Sequence, residues 1–214
     1  MAKTKALLTP ISDTMPVVVD VPGREPSGAL WVSRFPGSRE VADCDSPFKD
    51  GLSAFIAAMV AAGAKVRISA TYRPAERAYL MHWAWKIWKG LADPQKVPAK
   101  SGVHIKWDHT DSAGHYDKKK SVDAAAAMVN GYDISDLGVA PALESQHTLR
   151  LAVDMSISWS GALTIQDKAG QSIVIKSAPS SGMNKDLHAV GASYGVIKYN
   201  ARGTDKPHWS SNGK

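Results

Sequence analysis

Apolar positions along the chain change period several times, and each change predicts an element. Between Asp50 and Ala64, Leu52, Phe55, Ile56, Met59 and Val60 recur every three or four residues, which predicts a core-facing helix with Gly63 as its stop. Lys65 to Tyr72 then alternates Val66, Ile68 and Ala70 against Lys65, Arg67 and Ser69, the period of a half-buried strand, and leaves Arg73 at the strand's end. A second helix is expected from about Ala75 to Lys89, with Tyr79, Leu80, Trp83, Ile87 and Trp88 as packing residues. The periodicity lapses from Ala92 to His115 among Pro94, Pro98, Gly102 and Gly114, so a long loop or small inserted subdomain is expected there. Lys119 to Asn130 reads as another helix, its run Ala124 to Ala127 permitting close packing and Gly131 ending it.

The second half is mostly strand. Leu149 to Ile157 places Leu151, Val153, Met155 and Ile157 on one face and Arg150, Ala152, Asp154 and Ser156 on the other, so Asp154 is expected to point away from the apolar face. Ala162 to Ile165 and Ser172 to Ile175 predict a hairpin closed through Asp167 to Gly170. A short helix over Asn184 to Ser193 precedes strands at Tyr194 to Tyr199 and His208 to Ser210. Residues 1–34, with four of the twelve prolines and one short strand at Val17 to Val19, read as an irregular arm; residues 35–214 read as one domain carrying an insertion at about 92–137. The expected architecture is α+β, a small antiparallel sheet with helices on one side and a cleft on the other.

Charge narrows the partners. Lys and Arg number 26 against 20 Asp and Glu, a formal +6 that favours approach to a polyanion such as anionic cell wall. The basic residues are scattered apart from Lys118 to Lys120, and no nucleic-acid module is recognisable, so nucleic acid is not an expected partner. Phe55 to Ala64, the longest apolar segment, is too short to span a bilayer. The apolar stretch after Lys5 is broken by Thr9, Pro10 and Asp13, unlike a secretory leader, so the expectation is a product made in the cytoplasm that needs a carrier to act outside it. Cys44 is the single cysteine, which excludes an intrachain disulfide and leaves His and carboxylates as metal ligands.

Candidate chemistry lies in two segments. Ser145-Gln-His147-Thr-Leu-Arg150-Leu-Ala152-Val-Asp154 offers a His in a turn and an Asp on the strand that follows; Asp205-Lys-Pro-His208-Trp209 offers a second His with a carboxylate three residues before it and Pro207 stiffening the backbone between them. Two imidazoles and one carboxylate match the protein ligands of catalytic zinc, with a fourth position for water. A rival set, His104, Asp108, His109, Asp111 and His115, reads as a solvated loop, and His82 and His188 read as packing or surface residues. Trp107, Tyr116 and Trp159 are read as packing residues.

The first segment resembles the Ser-x-His-x-x-Gly-x-Ala-x-Asp signature of the zinc D-alanyl-D-alanine carboxypeptidase family, which includes VanY-like peptidases and phage L-alanyl-D-glutamate endopeptidases. The second resembles that family's Glu/Asp-x-x-His-Trp ending, and Ala70-Thr-Tyr72-Arg73-Pro lies where the family has Ser-Gly-Tyr-Arg-Ser. The likeness runs from about Gly51 to Trp209, with Ala92 to Leu137 unaligned. It implies a carboxypeptidase-like fold, a Zn²⁺ held by His147, Asp154 and His208, Asp205 as general base, and Arg73 on the substrate carbonyl or carboxylate. Ser145, Tyr72 and Trp209 would support the site or meet substrate. Three departures stand out: Arg150 occupies the family's Gly, so the turn is expected to be built differently, Ala70 and Thr71 replace Ser and Gly before Tyr72, and the Gln that usually follows the Arg element is absent. Asp205, where many relatives have Glu, looks more like the endolysin branch.

The implied activity is zinc-dependent hydrolysis of peptidoglycan peptide stems, as an endopeptidase at an L-Ala-D-Glu or D-amino-acid bond. A phage endolysin released through a holin fits this, and so does an antibacterial effector carried by a type VI secretion system and matched by an immunity protein; either would act in the periplasm. The alternatives are a D,D-carboxypeptidase that trims terminal D-Ala and a non-catalytic wall-binding module.

Overall fold

A computed structural model describes residues 23–199 and 205–214. The elements run β1 (Glu25–Pro26), α1 (Phe48–Ala61), β2 (Lys65–Ala70), α2 (Ala75–Trp88), β3 (Ile105–Lys106), α3 (Lys118–Gly131), β4 (Ala152–Ser158), β5 (Leu163–Gln166), β6 (Ser172–Ile175), α4 (Lys185–Ser193), β7 (Ile197–Lys198) and β8 (His208–Ser210). The chain is thus mixed α+β. The strand expected at Val17 to Val19 lies outside the described residues.

The principal sheet has the order β2-β4-β8-β7, with every pairing antiparallel. Alternation along β4 sends Val153, Met155 and Ile157 to one face, where they pack with Leu52, Phe55 and Met59 of α1 and Leu187 and Val190 of α4. Each fully buried apolar side chain of this kind contributes roughly 1.5–3 kcal/mol. Trp209, wholly buried on β8, packs in a tilted arrangement against Phe55 at 5.6 Å between ring centroids. The β5–β6 hairpin closes through Asp167, whose Oδ1 accepts from the backbone N–H groups of Ala169 and Gln171, and adds Leu163, Ile165 and Ile175 to the same core. Gly51 lets α1 cross the Tyr194 carbonyl closely, since a Cβ there would lie 2.0 Å from that oxygen.

The expectation that helices cover one side of the sheet holds for α1 and α4. Helices α2 and α3 instead pack on each other in a second apolar cluster with Trp31, Val103, Ile105 and Trp107. The reason is the sequence of α2: Ala78, Leu80, Met81, Ala84, Trp85 and Ile87 are all buried, so this helix needs cover on more than one side. Fully buried Ala125 allows α3 close approach, and α3 is capped by Asp117, whose side chain accepts from the Lys120 N–H. Trp85 is buried, whereas Trp83 and Trp88, expected in the packing set, are half-buried under Lys86 and Lys89. From the expected irregular arm, Glu25 and Pro26 pair in parallel with Ile105 and Lys106.

Strand β4 begins at Ala152, three residues later than the alternation predicts. Residues 145–150 form a tight turn in which Thr148 and Leu149 N–H groups donate to the Ser145 carbonyl and Arg150 N–H to that of His147. Arg150 closes the turn at φ 62°, so the backbone takes the left-handed form that a Gly would supply, with an arginine in its place. The turn expected to be built differently is built by that arginine.

Candidate metal centre

Sheet register brings the first two ligands together. Asp154 and His208 are direct partners across β4 and β8, on the face opposite the core, while their neighbours Val153 and Trp209 pair toward it. Ala70 at the end of β2 is the other neighbour of Asp154. The chain then leaves β2 through Thr71, Tyr72 and Arg73, and this exit meets the 145–150 turn: the Arg73 N–H donates to the His147 carbonyl at 3.2 Å, and the His147 Nδ1–H to the Thr71 carbonyl at 2.6 Å. That bond assigns the His147 tautomer, because a carbonyl only accepts, and leaves Nε2 with its lone pair.

His208 is held the same way with its nitrogens exchanged. Its Nε2 lies 3.1 Å from the backbone oxygen of Lys214 and donates to it, so Nδ1 carries the lone pair. His147 Nε2, His208 Nδ1 and Asp154 Oδ1 then face one another at 3.1, 3.2 and 3.0 Å for the His–His, His147–Asp154 and His208–Asp154 pairs. Both imidazoles are buried, 3% and 6% exposed, and Asp154 is mostly so. Three lone-pair donors packed this closely repel unless a proton or a cation sits among them. A tetrahedral ion with bonds of about 2.0–2.2 Å spaces its ligands by roughly 3.3–3.6 Å, so the donor set fits a small divalent cation with little adjustment. Each imidazole's outer nitrogen on a main-chain oxygen is the support that metal-binding histidines require. This is the one such group among the described residues.

The charges agree with that reading. Burial alone would raise the Asp154 pKa, but hydrogen bonds and charge from His147 and His208 outweigh it and hold the carboxyl well below the usual range. Burial lowers the His208 pKa, yet Asp154 reverses the balance and the net shift is upward. Arg73 is half-buried; burial lowers its pKa, while Asp154 and Asp205, both near enough to act on it, oppose the change. Asp205 has its pKa raised by desolvation and by the Asp154 charge, with His208, Lys198 and His147 pulling the other way. Arg73 and Asp205 therefore stand within electrostatic reach of the triad.

The other expected site residues separate. Tyr72 lies under the Arg150 guanidinium at 3.8 Å from its ring centroid. Ser145 anchors the turn through its backbone, which exchanges hydrogen bonds with Thr148 Oγ1, and its own hydroxyl is buried without a hydrogen bond. Trp209, expected to support the site or meet substrate, is in the core beneath the sheet with His188 edge-on at 5.4 Å, so it supports the site from below and is closed to substrate. His188 and His82 are packing residues, bonded to the carbonyls of Gly182 and Pro141. The rival set does not converge: His109 Nε2 contacts Ser27 Oγ at 2.9 Å and His115 sits against Asp111 at 3.5 Å. Trp107 and Trp159 are buried, as expected of packing residues, whereas Tyr116 is exposed.

Lys198 was not singled out by sequence. It is 3% exposed, and its ammonium donates to the carbonyls of Tyr199, Asp205 and His208 at 3.3, 3.2 and 2.8 Å. One buried cation thereby ties down the backbone carrying the expected base and the last ligand. A lysine on a two-residue strand gives no sequence signal for this, because its three acceptors are main-chain atoms.

Comparison with protein-family models, with curated proteins and with solved structures finds no match. Among the described residues, no helix is long and apolar enough to cross a membrane.

Proposed function

We propose that the chain is a zinc metallopeptidase that hydrolyses the peptide stems of peptidoglycan, with a fold of the D-alanyl-D-alanine carboxypeptidase kind. The observation that carries the reading is the convergence of His147 Nε2, Asp154 Oδ1 and His208 Nδ1 within 3.2 Å, each imidazole fixed from behind by a main-chain oxygen. Zinc suits this set: it takes nitrogen and oxygen ligands in tetrahedral geometry, and three protein ligands leave one position for chemistry. When bound, it supplies Lewis acidity, lowering the pKa of water toward neutrality and polarising a carbonyl.

The side chains around it divide the remaining work. Asp205 accepts the proton of the attacking water, and its raised pKa brings it nearer to the operating pH of a general base. As the water oxygen bonds to the carbonyl carbon, the Arg73 guanidinium stabilises the charge that gathers on the carbonyl oxygen. Asp205 then passes its proton to the nitrogen as the C–N bond breaks, giving a carboxylic acid and an amine, between which the remaining proton is exchanged to leave a carboxylate and an ammonium. The signature segments around His147 and His208, in their order and spacing, support the cell-wall peptide as substrate, and the Asp at position 205 supports internal cleavage.

The experiment is digestion of purified sacculi with zinc-loaded protein, followed by mass spectrometry of the soluble fragments. New peptide termini are expected, absent with chelator, with Asp205→Ala and with His208→Ala. Free D-alanine without solubilised wall would make the protein a trimming carboxypeptidase, and an unchanged digest from zinc-loaded native protein would end the peptidase reading.

A further inference from the structure

Arg150 holds a conformation that its side chain makes costly. The left-handed region at φ 62° disfavours a residue with a Cβ, and glycine would remove that cost. Such strain persists where the side chain is needed. The guanidinium lies over the Tyr72 ring, and its Nη1 donates to the Asp43 carbonyl at 3.0 Å. Together with Ser38, Arg39, Glu40 and Asp43, these two residues line an open cleft of about 670 Å³.

The cleft and the metal centre share their backbone. Ser38 N–H donates to the Tyr72 carbonyl at 2.9 Å, Thr71 N–H to the Ser38 carbonyl at 2.8 Å, and Thr71 Oγ1 to the Glu40 carbonyl at 3.0 Å. Thr71 in turn holds His147 through its own carbonyl, and the Arg73 and Arg150 N–H groups both donate to the carbonyl of His147. A group seated in the cleft is therefore registered against the metal ligands by six hydrogen bonds that join the segments 38–40, 71–73 and 147–150.

The charges lining the cleft are of both signs. Arg39 and Arg150 are cationic, Glu40 and Asp43 anionic, and among the described residues no ion pair engages Arg39, Glu40 or Asp43. A lone anion would meet two carboxylates and a lone cation two guanidiniums, whereas a zwitterion satisfies both pairs. The Tyr72 ring offers an apolar surface for the chain that carries it.

We propose that this cleft binds a free α-amino-acid group at the end of a substrate side chain, its carboxylate on Arg39 and Arg150 and its ammonium on Glu40 and Asp43. Resting on the peptidase reading, the inference makes the enzyme selective for stem peptides whose third residue ends in such a zwitterion.

Two synthetic peptides, L-Ala-γ-D-Glu-meso-diaminopimelate and L-Ala-γ-D-Glu-L-Lys, differ at that end. Native protein is expected to cleave the first with roughly tenfold higher kcat/KM, the difference residing in KM. Arg150→Gly, which fits the left-handed backbone, and Arg39→Gln, at an exposed position, are each expected to bring the ratio toward one while retaining their zinc. Binding is read separately by titrating free meso-diaminopimelate, or Nα-acetyl-L-lysine methylamide, whose side chain ends in an ammonium alone, into zinc-loaded protein and following the arginine side-chain resonances. If neither peptide is cut but diaminopimelate shifts the Arg150 signal and the blocked lysine does not, the cleft stands and the peptidase reading falls. Equal cleavage of both peptides, a preference untouched by both variants, or no diaminopimelate-specific shift would overturn the cleft.

Discussion

Asp154 and His208 face each other across β4 and β8 with Oδ1 3.0 Å from Nδ1, although 54 residues separate them in the chain. Both strands point these side chains away from the core because Val153 and Trp209 beside them point into it. One equivalent of zinc is expected to bind here. Asp154→Ala and His208→Ala should each weaken it by roughly a hundredfold or more, measured by competition with a chromogenic chelator.

Lys198→Met removes the only cationic donor that the carbonyls of Tyr199, Asp205 and His208 share among the described residues. The expected loss is about 2–4 kcal/mol in urea unfolding, since three acceptors lose a charged partner in a buried place. Zinc affinity should fall as well, by roughly tenfold, because His208 loses the constraint on its backbone. Unchanged affinity would leave Lys198 a purely structural residue.

Asp205→Asn keeps the shape of the side chain and removes the base. It should retain zinc and lose roughly a hundredfold or more in kcat. The native acid limb of kcat/KM should lie above the ordinary carboxylate value of 3.8, as desolvation and Asp154 hold the Asp205 carboxyl up. Activity rises as pH climbs through that limb, because the base works only when deprotonated. A limb that persists in the variant would assign it to another group.

Stability should answer pH in opposite senses with and without metal. In the metal-free protein the raised His208 pKa stabilises fully below the ordinary value of 6.5, and the benefit disappears as pH rises through the raised value. The lowered Asp154 pKa stabilises above its ordinary 3.8 and is lost only as pH falls through the lowered value. Zinc competes with the proton on His208, so its contribution grows with pH. The gap in Tm between zinc-loaded and chelated protein should therefore be wider at about pH 8 than at about pH 5.5; a constant gap would place the metal elsewhere.

Gly51→Ala tests the crossing of α1 over Tyr194. Alanine favours a helix by about 1 kcal/mol over glycine, yet its Cβ would meet the Tyr194 carbonyl oxygen at 2.0 Å. The clash should win, with a net loss of roughly 2–4 kcal/mol by chemical denaturation.

Local signals carried the elements. Helices α1, α2, α3 and α4 and the β5–β6 hairpin lie within a few residues of where periodicity and turn residues put them, because those cues act over one or two turns of chain. Period-2 alternation could not show where β4 starts: the apolar Leu149 and Leu151 continue its pattern through a turn closed by Arg150 in the left-handed region, a conformation the residue type does not announce. Nor could amphipathicity divide the helices between two clusters, since that depends on which buried surfaces meet in space.

The amino-acid sequence alone determined which side chains were available for a metal: two imidazoles and a carboxylate in two short segments, with one cysteine too few for a site of several thiolates. Tertiary structure alone decided that they converge, which nitrogen each imidazole presents, and that His104 to His115 stay apart. The division is physical. Donor chemistry belongs to the residue, whereas lone-pair direction is set by main-chain oxygens of Thr71 and Lys214, and no side-chain pattern encodes where such a distant oxygen will lie.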